Sequence, residues 1–120
     1  MASQSTILIL DDDPDHLKIY GWLLQQAGYA PIPCLVRRSG VELPTDPAIR
    51  LVILDYALHT ESTPVEVAQS VIFAYPGIPI LLLSDIDGMP KDIAPFVREF
   101  VRKGEPQKLM AAVSRLIGGG

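Results

Sequence analysis

Cysteine is nearly absent from this 120-residue chain. The lone Cys34 excludes a disulfide framework and a cysteine-built zinc centre, and it suits a reducing compartment. Long apolar runs are missing as well. The longest lies near residues 78–83, far short of the roughly 18 residues that a membrane span needs. Excess positive charge is also missing. Ten Lys and Arg stand against 14 Asp and Glu, a net charge of −4, which argues against gripping DNA by charge alone. The first Lys or Arg is Lys18, so no basic leader precedes the first apolar run and no secretory signal is expected. What is abundant is core-forming residue. Leu, Ile, Val and Phe number 15, 12, 9 and 3, about a third of the chain, enough for one domain with a real core. A single mildly acidic domain over residues 1–120 is expected in the cytoplasm, with 117–120 as a tail or the start of a linker.

Two periods alternate along the chain. Residues 6–10 form an apolar run of strand length, stopped by Asp11-Asp12-Asp13-Pro14. From Pro14 the apolar residues Leu17, Tyr20, Leu23, Leu24 and Ala27 recur at helical steps, with Asp13 as N-cap and Gly28 as stop. Residues 29–34 carry Pro31 and Pro33, which confine that segment to a sheet edge or an irregular path. A short helix is expected over 36–43. Residues 51–54 make a second buried strand ending at Asp55. Thr63-Pro64-Val65-Glu66 reads as a capping box opening a helix to about Ala74, with Val67, Val71 and Phe73 or Ala74 inward. Residues 78–83 are a further strand, ending at Ser84-Asp85. Only 13 residues, 85–97, precede the last strand at 98–102, so any helix there is short. Residues 106–117 close the chain as a helix with Leu109, Met110, Val113, Leu116 and Ile117 on one face. Five β-α units imply an α/β fold with a doubly wound parallel sheet.

Ligands of such sheets bind beyond the carboxyl ends of the strands. There the pattern gathers Asp11-Asp12-Asp13, Asp55, Ser84 and Lys103. Crowded carboxylates repel one another, and a divalent cation relieves the conflict. Carboxylates, a backbone carbonyl and water are ligands that Mg²⁺ accepts. Such a cation, the Lys103 ammonium and the Ser84 hydroxyl would each serve one oxygen of an incoming phosphoryl group, leaving Asp55 to attack phosphorus.

These residues resemble the receiver domain of two-component response regulators, over essentially the whole chain. Ile7-Leu8-Ile9-Leu10-Asp11-Asp12 is similar to the family's opening strand and acid pair, and Leu51-Val52-Ile53-Leu54-Asp55 to its phospho-acceptor strand. Asp12, Asp55, Ser84 and Lys103 follow at spacings of 43, 29 and 19 residues. The resemblance implies a flavodoxin-like (CheY-like) (βα)5 sheet of strand order 2-1-3-4-5. It implies a Mg²⁺ site made by Asp12 directly, Asp11 through water, Asp55, and the backbone carbonyl of Ala57. It assigns Asp55 as phosphoacceptor, Ser84 and Phe100 as switch residues, and Lys103 as the phosphate-binding amine. The implied donor is a sensor histidine kinase or phosphotransfer protein. The implied output is a change in the face made by the fourth helix, fifth strand and fifth helix, where an effector or a second copy would bind. The chain departs from the family at the site rim. Asp85 stands where Ala or Gly is usual, Gly104 where a proline follows the lysine, and His59 where the family has proline.

Plainer readings stand beside these. Asp11-Asp12-Asp13 suits a helix N-terminus, Phe100 a core aromatic, Cys34 a small buried hydrophobe, and His16 and His59 the surface, though His59 is near enough the rim to meet a phosphate. Tyr20 and Trp22 read as helix packing. A degenerate receiver, acting as a phosphorylation-independent interaction module, is the alternative function. An aspartate-nucleophile phosphatase fits poorly, because Asp15 occupies the place of its Thr or Val and 120 residues leave no room for a cap. An FMN site fits worse, since three aspartates would repel its phosphate. The protein is expected to assist its own phosphorylation and not to turn over substrate as an enzyme.

Overall fold

The computed structural model describes residues 4–58, 61–85 and 88–118. Five parallel strands lie in the order β2-β1-β3-β4-β5: β1 (Thr6–Asp11), β2 (Ala30–Leu35), β3 (Ile49–Asp55), β4 (Ile80–Ser84) and β5 (Glu99–Arg102). Period-two alternation splits each strand between two cores. Ile7, Ile9, Leu51, Ile53 and Leu81 pack with α1 (Pro14–Gln26) and α3 (Pro106–Gly118) on one face. Leu8, Leu10, Val52, Leu54 and Leu82 pack with α2 (Pro64–Ala74) on the other. Burial on both faces explains why the three central strands read as unbroken apolar runs. Each fully buried Leu or Ile contributes about 1.5–3 kcal/mol over an exposed one.

The prolines of β2 are explained by its edge position. Ala30 N donates to Ser5 O at 2.9 Å and Val36 N to Asp11 O at 2.9 Å, so even-numbered residues face β1. Pro31 and Pro33 therefore point their missing donors to the outer edge, where they also discourage a further strand.

Helix ends follow local chemistry. Asp13 caps α1 by accepting from Asp15 N at 2.9 Å, and Pro14 takes the first turn. The helix ends at Gly28, whose φ of 92° allows Tyr29 N to return to Leu24 O at 2.9 Å. The Thr63–Glu66 capping box opens α2. Its inward residues are Val67, Ala68 and Val71, whereas Phe73 is 90% exposed. Two residues beyond Val71, Phe73 is turned about 200° around the axis and so cannot share that face.

Two expected helices differ in the structure. Residues 36–43 are not helical. Arg37 and Gly40 exchange hydrogen bonds at 2.9 and 3.0 Å around a turn, and Gly40 has φ 139°, outside any helix. The segment instead lays Val36 and Val41 against the core in extended form. The fourth β-α connection holds one 3-10 turn, Ala94–Phe96, among its described residues. Pro90 and Pro95 interrupt helical hydrogen bonding there, and Ile93, fully buried, pins the segment to the sheet. Three α-helices among the described residues thus replace the five anticipated. No helix there is long and apolar enough to cross a membrane.

Candidate functional site

Parallel strands end together, so the last residues of β1, β3 and β4 share one rim. Asp11, Asp55 and Ser84 are these residues, and they are only 1%, 2% and 2% exposed. Burying two acids side by side carries an electrostatic cost. Asp11 shows it: burial first, then the negative charge of Asp55, push its carboxyl from 3.8 up to about 7. Partial relief comes from Asp13 N, which donates to Asp11 Oδ1 at 3.0 Å.

Asp55 is held differently. Its Oδ1 accepts from Ala57 N at 3.0 Å and meets Lys103 Nζ at 2.8 Å. Burial disfavours the charged lysine, but the hydrogen bond and charge of Asp55, with Asp85 and Asp11 behind it, outweigh that effect. Lys103 therefore keeps its proton more firmly than a free lysine. Backbone register brings it there: Lys103 N donates to Ser84 O at 2.9 Å, extending the β4–β5 ladder by one residue. Gly104 follows with φ 85°, a left-handed bend that turns the chain towards α3 directly after the lysine.

A cleft of about 370 Å³ opens over these groups, with Asp12, Asp55, Ala57, Asp85 and Lys103 in its wall. Asp12 is half-buried there. Asp85 is exposed, a solvated wall of the rim. Phe100 is half-buried on the α2 face of the sheet, packed with the cluster around Ile93. Cys34 is half-buried against that same cluster and donates to Glu42 O at 3.4 Å. His59 lies outside the described residues.

His16, which is partly exposed as expected, also reaches the rim. His16 Nδ1 lies 3.2 Å from Asp11 Oδ2, although the side chain is 40% exposed. Asp11, His16 and Asp55 each bring a ligand-type atom within 4.8 Å of the others, and Asp12 is not among these three. The available signal was positional. His16 is the third residue of α1, and side chains in a first turn lean back towards the helix N-terminus, here over the end of β1. Tyr20, one turn on, faces the His16 ring at 6.1 Å. Burial, and then the charges of Asp55, Asp11 and Asp85 set against that of Lys103, raise its hydroxyl pKa.

The donor chemistry fits a hard divalent cation. Two buried carboxylates, Asp11 and Asp55, meet at one rim, where burial and their mutual repulsion raise the Asp11 pKa to about 7.

No protein-family model and no curated protein matches the sequence. Solved structures match along nearly its full length. A response regulator receiver domain protein (CheY-like) from Methanospirillum hungatei JF-1 superposes with a TM-score of 0.79 at 16% identity, covering 98% of this chain and 96% of that one. A response regulator receiver domain protein from Clostridium thermocellum gives 0.76 at 19%, covering 96% and 95%. NtrX from Brucella abortus gives 0.81 at 20%; the match covers 95% of this chain and 27% of that longer one. The chain has the CheY-like receiver fold.

Proposed function

We propose that this protein is a phospho-accepting signalling switch with Asp55 as its acceptor. The observation that carries this reading is the buried Asp55 carboxylate, 2.8 Å from Lys103 Nζ and beside the buried Asp11, in the wall of an open cleft. An Asp55 oxygen attacks the phosphorus of a phosphohistidine on a sensor histidine kinase or phosphotransfer protein. The P–N bond breaks, and the imidazole leaves and takes up a proton. Lys103 balances charge on one phosphoryl oxygen, and the Ser84 hydroxyl donates to another. Mg²⁺, when held by Asp11, Asp12, Asp55 and the Ala57 carbonyl, supplies positive charge against the phosphoryl oxygens. Asp85, in the wall of the same cleft, opposes the incoming anion, an effect that its exposure to solvent weakens.

The switch acts through Ser84 and Phe100. Phenylalanine has no hydroxyl, so Phe100 responds by packing alone. Because the fourth connection is a single 3-10 turn among the described residues, the responsive face comprises Ala94–Phe96, β5 and α3. An effector or a second copy binds there. Phosphoryl uptake is stoichiometric, one group per chain, and not turnover of a substrate. The domain works in the cytoplasm.

Incubation with acetyl phosphate and Mg²⁺, read by intact mass, tests the reading. Wild type is expected to gain one phosphoryl group, labile to hydroxylamine, and Asp55→Asn to gain none. Equal gain by both proteins, or by neither, contradicts it. The reduced fourth connection favours a second reading, a receiver that binds partners without being phosphorylated. No uptake together with unchanged partner binding by Asp55→Asn is the outcome that selects it.

A further inference from the structure

The His16 imidazole has no part in the function proposed above, yet it stands at the cation cleft. We infer that His16 Nδ1 is a ligand to the cation held by Asp11 and Asp55, making the site a mixed nitrogen–oxygen centre that prefers a borderline divalent transition ion to Mg²⁺. The inference rests on the reading of this rim as a cation site and adds to it the identity of the ion.

Three observations carry it. First, the separations suit shared coordination. Adjacent ligands about 2.1 Å from one octahedral cation lie about 3.0 Å apart. Nδ1 and Asp11 Oδ2 are 3.2 Å apart, and the Asp55 carboxylate is within 4.8 Å of both. Second, the far side of the ring has a carboxylate of its own. Asp13 Oδ2 lies 3.6 Å from Nε2. With a cation on Nδ1, the ring proton sits on Nε2, turned towards that carboxylate. It is the carboxylate–histidine–metal arrangement by which proteins orient a ligating imidazole. Third, the helix fixes the backbone under the ring. His16 sits in the first turn of α1, behind the Asp13 cap and Pro14, so its backbone is ordered before a cation arrives. Imidazole adds little for Mg²⁺, which prefers oxygen and keeps its waters, but it adds strongly for Ni²⁺ or Zn²⁺.

Any such site binds Ni²⁺ more tightly than Mg²⁺ to some degree, so the test is the change on removing the ring. Metal-free wild type and His16→Gln are titrated by calorimetry with NiCl₂ and, separately, MgCl₂. The substitution is expected to weaken Ni²⁺ binding by about tenfold or more while Mg²⁺ affinity stays within about twofold. Pulsed EPR of the Mn²⁺-loaded wild type reports the ligand without any variant and is expected to show coupling to an imidazole nitrogen. If the ions bind but the Ni²⁺/Mg²⁺ ratio is unchanged in His16→Gln and no nitrogen coupling is seen, the inference is overturned and the oxygen-only site stands. If neither ion binds wild type, the cation reading fails and this inference fails with it.

Discussion

Asp11→Asn is expected to stabilise the cation-free protein by up to about 4 kcal/mol at pH 8 and by almost nothing near pH 4. The sign follows from linkage. The unfolded Asp11 titrates near 3.8, and the folded one at about 7. Between these values the folded state holds a proton that the unfolded state has released, so wild-type stability falls as pH rises from about 4 to about 7 and then levels off. About three pH units at about 1.4 kcal/mol each set the upper limit. Asparagine carries no charge, keeps an oxygen for Asp13 N–H, and removes this dependence. Urea unfolding at several pH values in the presence of EDTA measures it. Saturating Mg²⁺ reverses the order of the two proteins, because binding to the native state raises wild-type stability through mass action. A variant that is less stable than wild type at pH 8 without cation would show that Asp11 is not the strained carboxylate.

Lys103→Ala carries the second large effect, and its two readouts move in opposite directions. The ammonium at 2.8 Å from Asp55 Oδ1 is a positive charge fixed in contact with the proposed acceptor. Without it, phosphoryl uptake from acetyl phosphate is expected to slow by about 10²–10³-fold, the usual cost of losing one preorganised charge or donor at a developing anion. Mg²⁺ affinity is expected to rise, since a competing cation has left the cleft. Rate from quenched intact-mass time courses and affinity from calorimetry separate the two effects. A parallel loss of both would mean that Lys103 acts by holding the rim together.

Much of the molecule could be read from the sequence, because most of its signals are local. The apolar runs ending at Asp11, Asp55 and Ser84 are strands buried on both faces, so their type and polar ends needed no tertiary information. The Asp13 cap with Pro14 and the Thr63–Glu66 box marked helix starts directly. What was hidden depends on three-dimensional context. Residues 36–43 have a weak apolar pattern, and the Gly40 turn wins over helix there. Phe73 is as apolar as Val71 but lies on the opposite side of α2, and its 90% exposure is not visible in composition. His16 was hidden for another reason. Its approach to Asp11 depends on the angle between α1 and the end of β1, which no spacing rule encodes, although its place in the first turn of the helix pointed the right way. The reduced fourth connection was partly legible, since 13 residues with Pro90 and Pro95 leave little room for a helix.

The central claim is that the buried acids at the sheet's rim are an unbalanced negative site awaiting a cation. Isothermal titration of metal-free protein with Mg²⁺ at pH 7, repeated in two buffers of different ionisation enthalpy, addresses it most directly. One Mg²⁺ per chain is expected, with release of part of a proton as Asp11 ionises, so that the apparent enthalpy differs between buffers. Both signals are expected to weaken strongly in Asp11→Asn. An absence of binding, or binding of equal strength in Asp11→Asn with no proton released, would contradict the account.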